Sequence, residues 1–206
     1  DTDLIIEWND QMNALGLDTI STGGTMAWAM EAAEKKLRPS ELAFGKTDNI
    51  ARIIEDIAYN RNEGQDLSRG SRWLSQKYGG GDFAIQVKGL EIAAYDPRAG
   101  WGQGLGYAVG NKGGDHLTSY MIGIEVIFPF IKPHTVRGKV KWTIFFEDLF
   151  ASMNSLQICQ FTAYGFLAEY PVPKYIPLPI LRPIVTWLPG LSQFLMSWKG
   201  LNQLFT

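Results

Sequence analysis

The 206-residue sequence has a single cysteine, Cys159, and only two histidines, His116 and His134. One thiol excludes an intramolecular disulfide, which fits a reducing cytoplasm. It also excludes an iron–sulfur cluster held wholly by thiolates of this chain. Charge is scarce as well. Lys and Arg number 19 against 21 Asp and Glu, a net charge of −2 with no basic run. Nothing here offers to neutralise nucleic-acid phosphate or to steer the chain toward an anionic membrane. No apolar run reaches the roughly 18 residues of a transmembrane helix, because Glu169, Lys174 and Arg182 interrupt the most apolar stretch. A Gly-Lys-Ser/Thr phosphate loop is missing. So is a strand followed by Gly-x-Gly-x-x-Gly and a ribose-binding acid, which removes a P-loop and a dinucleotide-binding unit. The chain opens on Asp1-Thr2-Asp3 with no signal peptide and closes on Leu204-Phe205-Thr206 with no helix stop. The expectation is an interior piece of a larger protein.

What the sequence does have is material for a core. Hydrophobic residues make up 46% and charged residues 19%, enough for one large or two small domains and too apolar for disorder. The spacing of Leu4, Ile5, Trp8, Met12 and Leu15 predicts a first helix with Gly16 as its C-cap. A second helix is expected after the turn Ser21-Thr22-Gly23-Gly24. A third follows Thr47-Asp48, either of which suits an N-cap, with Ile50, Ile53, Ile54 and Ile57 on one face. A fourth covers residues 66–78 and stops at Gly79-Gly80-Gly81. Residues 84–87 and 91–95 read as short extended pieces. A long helix is expected over residues 139–161, burying Val140, Ile144, Phe145, Leu149, Met153, Leu156 and Ile158. The pattern is mainly α, multihelical, with few short strands. Residues 163–206 carry Pro171, Pro173, Pro177, Pro179, Pro183 and Pro189. They form a Pro- and aromatic-rich strap or insertion, either packed on the body or turning Trp187, Leu188, Phe194, Leu195 and Trp198 toward a partner or membrane interface.

Two features carry candidate chemistry. The first is the glycine run Gly100, Gly102, Gly104, Gly106, Gly110, Gly113 and Gly114. Each glycine costs a free-standing helix about 1 kcal/mol against Ala, but glycine suits a backbone that must approach another backbone or a ligand closely. The second is a pair of hexapeptides, Asn13-Ala14-Leu15-Gly16-Leu17-Asp18 and Asn154-Ser155-Leu156-Gln157-Ile158-Cys159. They share the pattern Asn-x-Leu-x-apolar-(Asp or Cys), each at the predicted C-terminal end of a helix. Spacing alone makes them two helix caps and makes Cys159 a buried small hydrophobe. The alternative is that two similar helix ends hold two similar halves of a heterocyclic ligand, through backbone groups and short polar side chains.

Several blocks taken together carry a resemblance. They are Gly16-Leu17-Asp18-Thr19-Ile20-Ser21-Thr22-Gly23; Val87-Lys88-Gly89-Leu90-Glu91; Tyr95-Asp96-Pro97-Arg98; Gly104-Leu105-Gly106-Tyr107-Ala108; Gly110-Asn111-Lys112-Gly113-Gly114-Asp115-His116-Leu117; and Ser155-Leu156 through Cys159-Gln160-Phe161-Thr162. In order and spacing, from about residue 4 to residue 162, the chain resembles the C-terminal helical domains of the tungsten-containing aldehyde ferredoxin oxidoreductase family. The resemblance implies domains 2 and 3 of that family, interleaved over residues 1–162.

The activity it implies is that of a catalytic subunit in anaerobic metabolism, oxidising aldehydes to carboxylic acids in the cytoplasm. Tungsten (or molybdenum) would sit between two pyranopterins of the molybdopterin type, beside a 4Fe–4S cluster. Electrons would pass to ferredoxin or an iron–sulfur electron-transfer subunit. The family's D-x-x-G-L-(D/C) motifs fall on the two hexapeptides, with Asn replacing the leading Asp twice and Gln157 replacing Gly. The resemblance thereby makes Asn13, Gly16, Leu17, Asp18, Asn154, Leu156 and Ile158 pterin-contacting. Asn keeps an acceptor oxygen but gives up the charge-assisted hydrogen bond. Lys112 would meet an anionic pterin or substrate group, Cys159 would be the fourth cluster ligand, and His116 would exchange a proton near the metal. The other thiolates would come from a C-x-x-C-x-x-x-C segment in the missing N-terminal part of the same enzyme. Asp96 and Arg98 read as a turn-fixing pair, and His134 is given no role. Some relatives bridge two subunits with a metal on E-x-x-H. Here Glu7 is followed by Asp10, so that bridge is not implied and a homo-oligomer is left open. Two other readings stand beside this one: the tungsten subunit of an aromatic acyl-CoA (benzoyl-CoA-like) reductase of the same family, and a non-catalytic helical scaffold or docking protein. Neither a nucleic-acid nor a membrane partner is expected.

Overall fold

Asp1 accepts the amide of Asp3 at 3.0 Å and so starts helix α1 (Thr2–Ala14). The computed structural model describes residues 1–127, 129–162, 177, 179, 180, 183, 184, 187, 188, 190 and 191. They belong to two compact units: Asp1–Ala94 with Asn111–Asp115, and Tyr95–Gly110 with the residues from His116 onward.

In the first unit, helix α2 (Thr19–Glu34) begins earlier than the sequence suggests. The Asp18 carboxylate accepts the Ser21 amide at 2.7 Å, so Ser21-Thr22-Gly23-Gly24 lies inside the helix rather than before it. Burial of Met26, Trp28, Ala29 and Ala32 outweighs the two glycines. Helix α3 (Ile50–Ala58) turns Ile53, Ile54 and Ile57 into the same core, as its spacing requires, but Asn49 precedes it without a side-chain cap bond. The helix expected over residues 66–78 is two, α4 (Gly64–Leu67) and α5 (Gly70–Tyr78), and each gives the core one leucine, Leu67 and Leu74. Trp28 donates its indole N–H to the Gly80 carbonyl at 3.2 Å and stacks on Phe83 with ring centres 5.9 Å apart. Strands β1 (Gln86–Val87) and β2 (Leu90–Glu91) form an antiparallel hairpin, with Gln86 opposite Glu91 and Val87 opposite Leu90. Residues 111–115 belong here because Gly114 donates to the Val87 carbonyl at 3.2 Å. A Cβ on Gly113 would run into that same oxygen.

In the second unit the glycine run becomes helix α6 (Trp101–Val109), against its intrinsic propensity. The reason is a close approach. A Cβ on Gly102 would lie 2.5 Å from Met121 Cε and 2.8 Å from Glu125 Oε1, and one on Gly106 would collide with Ser119 Oγ. Glu125, only 1% exposed, accepts the amides of Gly102 at 2.8 Å and Gln103 at 3.0 Å, a carboxylate on a helix N-terminus. Its charge is met by Lys139, which also donates to the Lys132 carbonyl at 2.7 Å. Glu125 sits in a π-helical turn, Gly123–Ile127.

Helix α7 (Lys139–Ser155) is shorter than expected and shows a different face. Trp142, Phe146 and Phe150 are buried with Tyr120, Met121, Ile122 and Ile124, while Val140, Ile144, Leu149, Leu156 and Ile158 are exposed. The aromatic row recurs every fourth residue with centroids 5.4 Å apart, Trp142 tilted on Phe146 and Phe146 stacked on Phe150. Its larger area wins the core. Of the proline-rich segment, Trp187 and Leu188 are exposed, whereas Phe194, Leu195, Trp198 and most of residues 163–206 lie outside the described residues. No helix among the described residues is long and apolar enough to cross a membrane.

Candidate functional site

The two hexapeptides close helices α1 and α7 with the same backbone turn. At the end of α1, Leu15 is the cap and Gly16 takes φ +73°. Gly16 donates to the Asn13 carbonyl at 3.1 Å and Leu17 donates to the Met12 carbonyl at 2.9 Å. At the end of α7, Leu156 is the cap and Gln157 takes φ +55°. Gln157 donates to the Asn154 carbonyl at 3.0 Å and Ile158 to the Met153 carbonyl at 2.9 Å. This pair of bonds is a Schellman closure, which needs a left-handed residue after the cap. Glycine adopts that conformation freely, while a residue with a Cβ gives up roughly 1–2 kcal/mol. Backbone groups make both turns, so neither Asn side chain is used to cap its helix. Asn13 is exposed. Asn154, also exposed, accepts from Gln160 Nε2 at 3.1 Å.

Beyond the turn the two sites differ. Asp18 caps α2 and at the same time lines a cleft of about 330 Å³ with Leu17, Ser21, Thr22, Thr25, Arg69 and Glu91. Glu91 is buried in its wall. One carboxylate oxygen accepts the Ser71 amide and hydroxyl, both at 2.8 Å, and the Thr25 hydroxyl at 3.3 Å, at the start of α5. The cleft thus offers carboxylate and hydroxyl groups to a neutral, N–H-bearing heterocycle. Glu91 was not among the residues expected from sequence. Its only signal was its place in the block Val87-Lys88-Gly89-Leu90-Glu91. In the second unit Cys159 is a free, exposed thiol, flanked by Leu156 at 71% exposure and by exposed Ile158 and Phe161. It is presented outward rather than buried, contrary to the bland expectation for a lone Cys. Among the described residues no three His, Cys, Asp or Glu gather as a metal site.

His116 and Lys112 fall in different units and share no helical turn, because residues 110–120 form loop and turns. Lys112 is exposed and pairs with Asp115 at 3.3 Å. His116 is half-buried, its ring centre 5.5 Å from that of Tyr95 and 6.3 Å from that of Tyr120. Gln103 ties this segment to α6. Its amide nitrogen donates to the His116 carbonyl at 3.4 Å, and its amide oxygen accepts from Ile122 at 3.0 Å. The Tyr107 hydroxyl donates to the Tyr95 carbonyl at 3.1 Å. Burial, and then a hydrogen bond with Tyr95, push the Tyr120 phenol up to about 12. Tyr95, Gln103 and Tyr120 were missed as site residues, since only folding brings them to His116. Asp96 and Arg98 form the expected pair: the Arg98 side-chain hydrogen bonds, at 2.5–3.0 Å, and its backbone amide bring the Asp96 carboxyl down to about 2. His134 donates from Nε2 to the Arg98 carbonyl at 3.1 Å, a structural contact.

Comparison with known proteins fits this geometry. The family model for aldehyde ferredoxin oxidoreductase, domains 2 and 3, matches residues 1–180, reaching into the proline-rich segment. A tungsten-containing aldehyde ferredoxin oxidoreductase of Thermococcus kodakarensis is 44% identical over 175 residues, 80% of this chain and 29% of the relative. A protein of the same description from Pyrococcus furiosus is 43% identical over the same shares. The WOR-like subunit of an aliphatic sulfonate oxidoreductase, also of Pyrococcus furiosus, is 27% identical over 121 residues, 52% of this chain and 19% of the relative. The chain therefore spans under a third of the length of these two tungsten-containing relatives. With its helical units and both helix-end hexapeptides inside the matched range, the chain belongs to the aldehyde ferredoxin oxidoreductase family, on the match to the family model for domains 2 and 3.

Proposed function

We propose that this chain is the cofactor-contacting part of the catalytic subunit of a tungsten (or molybdenum) bis-pterin oxidoreductase that oxidises aldehydes to carboxylic acids. The observation that carries the reading is that two Asn-led hexapeptides end α1 and α7 in one backbone form, a Schellman closure that α2 and α3 also use, with Asp18 of the first lining a polar cleft and Cys159 of the second exposed. The residues present fit the group. One hexapeptide borders a polar cleft lined by Asp18, Ser21, Thr22 and Glu91, and the other holds an exposed thiol. When bound, the metal and its pterins supply the two-electron redox chemistry at the substrate.

The chain's own residues bind and orient. Asn13, Gly16, Leu17 and Asp18 hold one pterin by side-chain and turn groups, and Lys112 offsets anionic charge there. Asn154, Leu156 and Ile158 hold the other, the exposed apolar pair excluding water once covered. Cys159 gives one thiolate to a 4Fe–4S cluster whose remaining ligands lie in the N-terminal part of the same enzyme. His116, half-buried, holds or moves a proton at its imidazole nitrogen. Ferredoxin or an iron–sulfur subunit takes the electrons, and the cytoplasm is the expected setting. The test is the iron content of full-length Cys159→Ala. The variant is expected to lose most of its cluster iron, and full retention of the cubane cluster would sink the assignment.

A further inference from the structure

We infer that Tyr120 is a positioning residue for His116: its buried phenol, held on a left-handed backbone, braces Tyr95 and through it fixes the imidazole. The inference rests on the His116 reading above.

Tyr120 has φ +35°, a region that bulky residues avoid and that persists only where the surroundings over-determine it. The surroundings do so. The Tyr120 carbonyl accepts the Gly123 amide at 3.1 Å, at the start of the π-helical turn. Two residues on, Ile122 donates to Gln103, and one residue back, Ser119 packs on the bare backbone of Gly106. A turn that needed only its backbone shape would be served better by glycine. The strain is instead borne by an aromatic residue that is 5% exposed, so the side chain itself is what the position requires.

That side chain meets two rings. Tyr120 lies edge-on to Tyr95, centroids 6.1 Å apart at 85°, and 6.3 Å from His116, while Tyr95 tilts over His116 at 5.5 Å. Burial, and then a hydrogen bond with Tyr95, keep the Tyr120 phenol in its protonated form. A phenol that keeps its proton far above neutral pH is no acid in the working range, so its role here is contact rather than proton transfer. Tyr95 is pinned at both ends: its carbonyl takes the Tyr107 hydroxyl, and its side chain meets that of Tyr120 edge-on, with a hydrogen bond between them. The ring next to His116 then cannot swing, and the imidazole keeps one orientation.

The test uses full-length enzyme carrying Tyr120→Phe, Tyr120→Gly or His116→Gln. Diethyl pyrocarbonate modification of His116, followed across pH by peptide mass spectrometry, needs no turnover and reports on the ring's surroundings. In Tyr120→Phe the fold and KM are expected to hold. The kcat should fall about tenfold, and His116 modification should quicken at least threefold or so, with a displaced pH midpoint. Tyr120→Gly relieves the backbone and should still lose rate, since the brace is gone. Unchanged modification and unchanged kcat in Tyr120→Phe would overturn the brace. Full rate in His116→Gln would instead overturn the proton-transfer role of His116, leaving the modification profile to decide the contact separately.

Discussion

The ends of α1 and α7 share one turn and use it for opposite purposes. After Gly16 the chain goes straight into another helix, and Asp18 is engaged in starting α2 while it borders the cleft. After Gln157 it presents Cys159 to the outside. The fourth position of each hexapeptide is therefore a backbone requirement, met without cost by Gly16 and at some cost by Gln157. The sixth position is where the chemistry divides, a carboxylate that organises protein in one unit and a thiol available to a metal in the other. The leading Asn contributes its carbonyl to both turns, which leaves the Asn13 side chain for a ligand, while that of Asn154 accepts from Gln160.

The widest separation between these parts is expected at the leading position. Asn13→Leu or Asn154→Leu leaves the turn intact but strands pterin N–H groups, a loss of about 1–3 kcal/mol, and tungsten and pterin content should fall roughly tenfold. Equal content in both variants and wild type would break the comparison. At the fourth position the signs should oppose. Gly16→Ala is expected to destabilise by about 1–2 kcal/mol and Gln157→Gly to stabilise by about 1 kcal/mol, read by urea denaturation. The same sign at both would mean the turns differ in more than sequence. At the sixth position, Asp18→Ala should cost about 1 kcal/mol through the lost cap of α2, with Asp18→Asn recovering most of it. Cys159→Ser, by contrast, should leave the midpoint of the cluster-free protein where it was. The smallest effect belongs to the exposed Asp96–Arg98 pair. Its carboxyl is depressed from 3.8 to about 2, so its contribution is fully present above pH 3.8 and disappears as pH falls through about 2. Solvent screening keeps it slight. Acid unfolding of Asp96→Asn should lack that component, and an unaltered profile would discount the pair.

Periodicity made the helices of the first unit legible, because Ile53, Ile54 and Ile57 have no rival face for the core. In α7 two apolar faces competed, and the aliphatic one was read as buried when the aromatic row Trp142, Phe146 and Phe150 in fact packs inward. The start of α2 was misplaced because a glycine pair suggested a turn, whereas the Asp18 cap decides the boundary. At the site, the hexapeptides could be seen in one dimension. Glu91 and Tyr120 could not: the first is defined by Thr25 and Ser71, the second by Tyr95, all distant along the chain. Pairings of that kind leave no local pattern to read.

Helix α6 has a consequence for how substitutions in this chain will be interpreted. With Gly102 and Gly106 as its contact face, its thickness there is that of a bare peptide backbone, and the segment carrying Ser119 to Glu125 rests directly on it. Even one methyl group acts as a shim. It lifts that segment, and the displacement passes through Gln103 and Tyr120 to the imidazole. In a saturation scan scored by turnover, these glycines will look like reacting groups although the space beside them is filled by Met121, Glu125 and Ser119. Their intolerance records a clearance, set at one hydrogen atom, between a helix and the loop it supports.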